Sequence, residues 1–219
     1  MDEQTTSGWG IKGERRETRI VNPHAALLVV DVQNDFCPGG ALAVPNGDRV
    51  ITPINDYMMR AAAAVMTTYV TRDWHPEKTT HFREYGGPWP SHCVQGSPGA
   101  MFHAGLDVPP SAVLISKGDD PSSDGYSAFD GHTADRTPLL DDLHRRGIDH
   151  LYIAGLATDY CVRFSARDAL KAGLGVTVLT DAVAGIDVAE GDVARALDEI
   201  QSRGGELASG PDALERTRG

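Results

Sequence analysis

Residues 25–31 read A-A-L-L-V-V-D. The run is too short for a buried helix and shows no polar alternation. It reads as a strand covered on both faces, ending at a carboxylate. Working outward, Val50, Ile54, Tyr57, Met58, Ala61 and Val65 form one stripe of an amphipathic helix. Further strands are expected over 66–71, 112–116, 151–154 and 175–180. A helix is expected over 138–146, with Thr137 as its cap and Pro138 in its first turn. Val162, Ala166, Ala169 and Leu170 give another helical stripe, stopped by Gly173. Ala189, Val193, Ala196, Leu197 and Ile200 give the last, stopped by Gly204. Buried strands alternating with helices define an α/β domain, a parallel sheet covered by helices on both faces.

The domain is expected over 23–207, between a loose tail over 1–22 and a polar tail over 208–219. The 219 residues carry a net charge of −11, with 41% hydrophobic and 23% charged residues. These are globular proportions. The acidic balance argues against a nucleic-acid or anionic-membrane partner, since phosphate binding needs positive charge. No apolar run is long enough for a bilayer span. Residues 1–22 hold no apolar stretch of the kind a secretory signal needs. Three widely spaced cysteines, Cys37, Cys93 and Cys161, fit a reducing compartment. The expected location is the cytoplasm.

In parallel sheets reactive groups collect past the carboxyl ends of the strands. Those positions hold Asp31, Asp73, Lys117 and the segment 155–161 that ends on Cys161. Spacing alone therefore predicts one crevice with an acid, a lysine and a cysteine. Cys161 opens a helix, where free N–H groups and the macrodipole favour the thiolate and can hold an oxyanion. Its other reading is a packed cysteine in a helix first turn. Asp31 can serve as acid and base for the thiol, or be an ordinary strand-end carboxylate. Lys117 can offset charge beside them, or reach to water.

Two connections are long, over 74–111 and 118–137. The one over 74–111 contains six prolines, five glycines, four of the eight histidines and two of the three tryptophans; long loops in compact domains are usually functional. Asp73 and His75 share one face of an extended chain. With a third ligand from His92 or His81 they suit Zn²⁺, Fe²⁺ or Mn²⁺. Loop histidines bonded to carbonyls are the alternative. Phe36 and Trp89 read either as loop fillers or as aromatic walls for a flat ligand.

D-V-Q-N-D-F-C-P-G-G (31–40), T-R-D-W-H-P (71–76), W-P-S-H-C-V (89–94), Lys117 and G-L-A-T-D-Y-C-V (155–162) follow one another in that order. Over about residues 25–207 the chain resembles the nicotinamidase/pyrazinamidase group of the isochorismatase-like cysteine hydrolases. The resemblance implies a single-domain, three-layer α/β/α fold with a mostly parallel sheet of about six strands. It implies a triad of Asp31, Lys117 and Cys161, and a cis peptide between Leu156 and Ala157 that presents the Ala157 N–H, with that of Cys161, to an oxyanion. It implies one divalent metal, Zn first and Fe or Mn next, on Asp73, His75 and His92. His81 stands at a position that ligates in some members only. Phe36 and Trp89 would sandwich a pyridine ring, with Tyr126 and Tyr160 nearby; Tyr160 stands where many relatives have histidine.

The implied reaction is hydrolysis of nicotinamide, and of pyrazinamide, through a Cys161 thioester. The small-molecule substrate is the expected partner, and a homo-oligomer stays open because relatives occur in several states. The alternatives are another carboxamide or ureido hydrolase of the superfamily, whose members generally lack the Asp73/His75/His92 set, and a non-catalytic metal-binding relative, against which the intact triad argues.

Overall fold

A computed structural model describes residues 20–216. In chain order the elements are β1 (Ile20–Val21), β2 (Ala25–Val30), α1 (Ile51–Ala63), β3 (Thr67–Asp73), β4 (Val113–Lys117), α2 (Leu139–Arg145), β5 (His150–Leu156), α3 (Arg163–Lys171), β6 (Gly175–Ala184), α4 (Asp192–Ser202), β7 (Glu206–Ala208) and β8 (Glu215–Arg216). Six strands form a wholly parallel sheet in the order β4-β3-β2-β5-β6-β7. β1 and β8 pair antiparallel beside it.

The alternation along β2 explains the three layers. Ala25, Leu27 and Val29 pack in one core with Ile54, Tyr57, Met58 and Ala61 of α1. Ala26, Leu28 and Val30 pack in the other with Leu139 and Leu143 of α2, Ala166 and Ala169 of α3, and Ile200 of α4. Every residue of β2 is buried, which is why the strand reads as an unbroken apolar run. Each fully buried Leu or Val there contributes roughly 1.5–3 kcal/mol of transfer free energy. No helix among the described residues is long and apolar enough to cross a membrane.

Several boundaries differ from the sequence expectation, each for a local reason. β5 runs on through Gly155 and Leu156, where Val30 pairs with Gly155. β6 passes Thr180 and Asp181 without ending. The Asp181 carboxylate accepts the Tyr57 hydroxyl at 2.9 Å and the Gly210 N–H at 3.0 Å, so this polar pair is satisfied in place. α4 begins at Asp192 rather than Ala189, because Gly191 takes a left-handed conformation with φ 86°. β7 is a three-residue edge strand with no apolar run to announce it. Residues 208–214, expected as part of a polar tail, lie against the domain: Leu214 is 3% exposed, and the Gly210 carbonyl accepts the Tyr57 hydroxyl. The rest of the two expected tails, 1–19 and 217–219, falls outside the described residues.

The topology positions the site. The chain leaves β2 outward to β3 and β4, then returns past β2 to β5. The connections leaving β2 and β5 diverge, which opens a crevice at their carboxyl ends. Asp73 pairs in register with Lys117, so neighbouring strand ends lie level there.

At that crevice the β2–β5 contact is as tight as backbone permits. Gly155 has φ 114°, and a Cβ on it would stand 2.0 Å from the Val30 carbonyl oxygen. Gly155→Ala is therefore expected to cost at least about 3 kcal/mol of stability, read as a lowered urea midpoint.

Candidate active site

Four adjacent strand ends converge. Asp31 follows β2 with φ 49°. Asp73 closes β3 and Lys117 closes β4. Past β5 the chain makes a π-helical turn, Thr158–Val162, which carries Cys161 into α3. The Leu156–Ala157 peptide that enters this turn is cis. Asp31 and Lys117 are wholly buried, and Asp73 is 4% and Cys161 6% exposed.

Lys117 lies at the centre of the group. Its Nζ is 2.7 Å from Asp31 Oδ2, bonds Asp73 Oδ1, donates to the Gly125 carbonyl at 3.0 Å and approaches Cys161 Sγ at 3.5 Å. Burial alone would strip its proton. The Asp31 and Asp73 carboxylates outweigh burial and hold the ammonium well above the ordinary lysine range. Asp73 shows the converse balance: burial raises its carboxyl, and Lys117 with His75 pulls it below the usual range. Asp31 is left raised, by burial first and by Asp73, with Lys117 opposing. A raised carboxyl is a better proton acceptor than an ordinary aspartate.

The thiol departs from expectation. Its place at the start of a helix predicts easier ionisation, whereas burial and the nearby carboxylates push Cys161 well up, against the pull of Lys117. A lone thiolate would be a third anion beside two carboxylates. Transfer of the proton from Cys161 to Asp31 avoids this, because it leaves the total charge around Lys117 unchanged. Asp31 hydrogen-bonds the Cys161 thiol, and Cys161, Asp31 and Asp73 each offer an atom within 4.8 Å of one another.

A second group adjoins the first. His75, His81 and His92 are buried, and their ligand atoms lie within 4.8 Å of one another. Asp73 Oδ2 is 3.6 Å from His75 Nε2 and 4.0 Å from His92 Nε2, both less than twice the roughly 2.1 Å metal–ligand distance. His75 Nδ1 donates to the Gly118 carbonyl at 3.0 Å, His92 Nδ1 to the Pro90 carbonyl at 2.8 Å and His81 Nδ1 to the Asp124 carboxylate at 3.2 Å. Each partner can only accept, so each Nδ1 carries a proton, and it is Nε2 that has the lone pair in the neutral ring. Burial lowers His81, and lowers His92 to about 4, so it favours the neutral form of both rings. His75 Nε2 is buried without a hydrogen-bond partner. Nδ1 atoms held by acceptors and an orphaned nitrogen beside a carboxylate fit a divalent cation.

Both groups face one narrow cavity, lined in part by Phe36, Trp89, Tyr126, Ala157, Tyr160 and Cys161. Trp89 Nε1 donates to the Tyr126 hydroxyl at 2.7 Å. Tyr160 meets the Trp89 ring edge-on at 4.9 Å. Every residue singled out in the sequence for the site lies in or beside this region.

Other residues it depends on carry no strong sequence signal. Thr71 donates to Asp31 Oδ1 at 2.6 Å and accepts the Asp31 N–H at 3.2 Å. The Gln33 amide accepts the Asp73 N–H and donates to its carbonyl, each at 2.8 Å. Asp35 Oδ2 accepts the Cys93 N–H at 2.7 Å, anchoring the turn that bears His92. Thr71, Gln33 and Asp35 fall within quoted motifs, but only their side-chain bonds across the crevice reveal their work.

This arrangement of a strand-end acid, lysine and cysteine on an α/β/α sheet is that of a cysteine hydrolase, and the chain belongs to the isochorismatase family: the Isochorismatase domain matches residues 25–212. Among its relatives, the nicotinamidase/pyrazinamidase of Mycobacterium tuberculosis is 43% identical over 185 residues, 83% of this chain and 97% of that protein. The Escherichia coli nicotinamidase is 40% identical over 216 residues, 90% of this chain and 100% of that one. The crystal structure of Pyrococcus horikoshii pyrazinamidase in complex with zinc superposes with a TM-score of 0.79 at 48% identity, covering 86% of this chain and 100% of that chain.

Two outcomes are expected. Lys117→Met, similar in length but uncharged, strands two buried carboxylates and should cost about 3–5 kcal/mol, read by urea unfolding. The purified protein should carry about one equivalent of divalent metal by elemental analysis, and His75→Ala should lose it while the far-ultraviolet circular dichroism is unchanged.

Proposed function

We infer that this chain is an amidohydrolase that converts nicotinamide to nicotinate and ammonia, and acts on pyrazinamide in the same way. The observation that carries this reading is the Cys161 sulfur, 3.5 Å from the Lys117 ammonium, at the wall of an aromatic cavity that also receives His81 and His92. A flat heteroaromatic carboxamide has a ring for the aromatic walls, a ring nitrogen for the metal end and a carbonyl carbon for the sulfur. The identities to nicotinamidases and pyrazinamidases support the same substrate class.

In this reading Phe36 and Trp89 hold the ring, with Tyr126 and Tyr160 beside them. Asp31 takes the Cys161 proton as the sulfur attacks the carboxamide carbon. The N–H groups of Ala157 and Cys161 receive the oxyanion. Asp31 returns its proton to the amide nitrogen, the C–N bond breaks and ammonia leaves. Asp31 then deprotonates a water that attacks the thioester, releasing nicotinate and restoring the thiol. Lys117 keeps its proton throughout and balances the charge that passes between sulfur and carboxylate. Asp73, His75 and His92 would hold a divalent metal, zinc first, and His81 stands within reach of the same site. When bound, the metal supplies a Lewis-acid contact for the ring nitrogen, orienting the substrate.

Cys161→Ala is expected to abolish ammonia release from nicotinamide while the unfolding transition stays cooperative. Turnover of nicotinamide and pyrazinamide should exceed that of an aliphatic amide, and chelation should cripple it. Undiminished activity in Cys161→Ala would end the proposal. Chelator-insensitive hydrolysis of an aliphatic or ureido substrate in preference to nicotinamide would point to another amidohydrolase of the superfamily.

A further inference from the structure

The turn that bears Cys161 carries a buried carboxylate that the proposed reaction does not use. Asp159 is 4% exposed. Its two oxygens accept two successive backbone N–H groups from the segment after β6: Ile186 N to Oδ1 at 3.0 Å and Asp187 N to Oδ2 at 2.7 Å. The preceding residue leaves no slack. A Cβ on Gly185 would stand 2.8 Å from Asp159 Oδ1 and 2.3 Å from Val193 Cγ2. The segment is fixed beyond as well: Asp187 has φ 56°, and its carboxylate accepts the Val193 N–H at 3.1 Å in the first turn of α4. Between these ties the side chain of Ile186 lines the same cavity as Phe36, Trp89 and Cys161.

We propose that Asp159 is a positioning residue for substrate binding: by clamping the Ile186 and Asp187 amides it sets Ile186 as an apolar wall of the cavity, in register with the nucleophile turn. The reasoning is chemical. Only a carboxylate accepts through both oxygens. Asparagine keeps the volume but offers one acceptor and turns an NH₂ toward the other backbone N–H, leaving that donor unpaired. The segment then loosens at the point where Ile186 meets the ring, while Asp31, Lys117 and Cys161 keep their own bonds. Binding should suffer more than chemistry.

This inference rests on the nicotinamide reading for its substrate, so the experiment has two arms. The first is steady-state kinetics with nicotinamide on the full chain, Asp159→Asn, Ile186→Ala and the double variant. Asp159→Asn should raise KM about tenfold, with kcat changed much less. The double variant should be little worse than Ile186→Ala alone, because both remove one device. Gly185→Ala, which displaces the carboxylate without removing it, should act in the same direction and carries the test if Asp159→Asn fails to fold. The second arm is amide hydrogen exchange without substrate: Ile186 and Asp187 should exchange at least about tenfold faster in Asp159→Asn, with the amides of β2 unchanged. An unaltered KM, a matching fall in kcat with KM fixed, or effects of Asp159 and Ile186 that multiply independently would overturn the proposal. Unaltered exchange would overturn the clamp itself. Absence of nicotinamide turnover by the unmodified chain would fall on the substrate reading, and the exchange rates would still decide whether Asp159 holds the segment.

Discussion

A single buried ammonium organises this protein. Lys117 is fully enclosed, at the end of β4, and its charge is tolerable only because Asp73 and Asp31 flank it from the ends of β3 and β2. The reverse holds equally, since two wholly or nearly buried carboxylates a few ångströms apart cannot both be ionised without a cation between them. The strand order β4-β3-β2-β5 places lysine, carboxylate, carboxylate and cysteine on successive strand ends. The electrostatics of the site are therefore a consequence of the sheet topology. An arrangement of this kind fixes one register, because sliding β4 by one residue against β3 would pair Asp73 with a neighbour of Lys117 and leave three charges unsatisfied.

Asp73 belongs to two groups at once. One oxygen bonds the lysine, while the other faces the imidazoles of His75 and His92. A cation held by the histidines would draw on the carboxylate that also steadies Lys117, and hence on the balance that leaves Asp31 basic. The histidines themselves are prepared from outside. The Gly118 and Pro90 carbonyls and the Asp124 carboxylate each take an Nδ1 proton, so the tautomers are decided by the loops and not by whatever binds. This accounts for the length of those loops. The connections over 74–111 and 118–137 return repeatedly to the crevice to supply such acceptors.

Much of this is legible in the sequence itself. The unbroken run A-A-L-L-V-V and the helical stripes after it carry the α/β architecture, because burial on both faces leaves no polar alternation to misread. Strand ends mark Asp31, Asp73 and Lys117, since a parallel sheet must deliver those residues to one edge. Boundaries were less legible where polar groups are satisfied at a distance. Asp181 sits within β6 only because Tyr57 and Gly210 meet it there, and no local pattern reports that. β7 is too short to show periodicity. Thr71, Gln33 and Asp159 were invisible as functional residues for the same reason: each acts through bonds to segments 27 to 67 positions away.

The three cysteines differ in what surrounds the thiol, and the difference bears on which one serves the proposed reaction. All three are free and buried. Burial raises each thiol: Cys37 to about 11, Cys93 and Cys161 well above the ordinary range. Burial and a depressed affinity for protons therefore do not single out Cys161, and a search for an acidic thiol would find none. What sets Cys161 apart is a proton acceptor and a cation within reach on the same side as an open cavity. Asp31 can accept the proton, Lys117 compensates the charge wherever the proton sits, and the sulfur needs no stable thiolate in the resting protein. In the buried, low-dielectric site, moving one proton between two groups that share a cation costs far less than creating a new charge. In the proposed reaction the sulfur's reactivity rests on exchange between the pair, and the fold brings the two together by placing β2 beside β5.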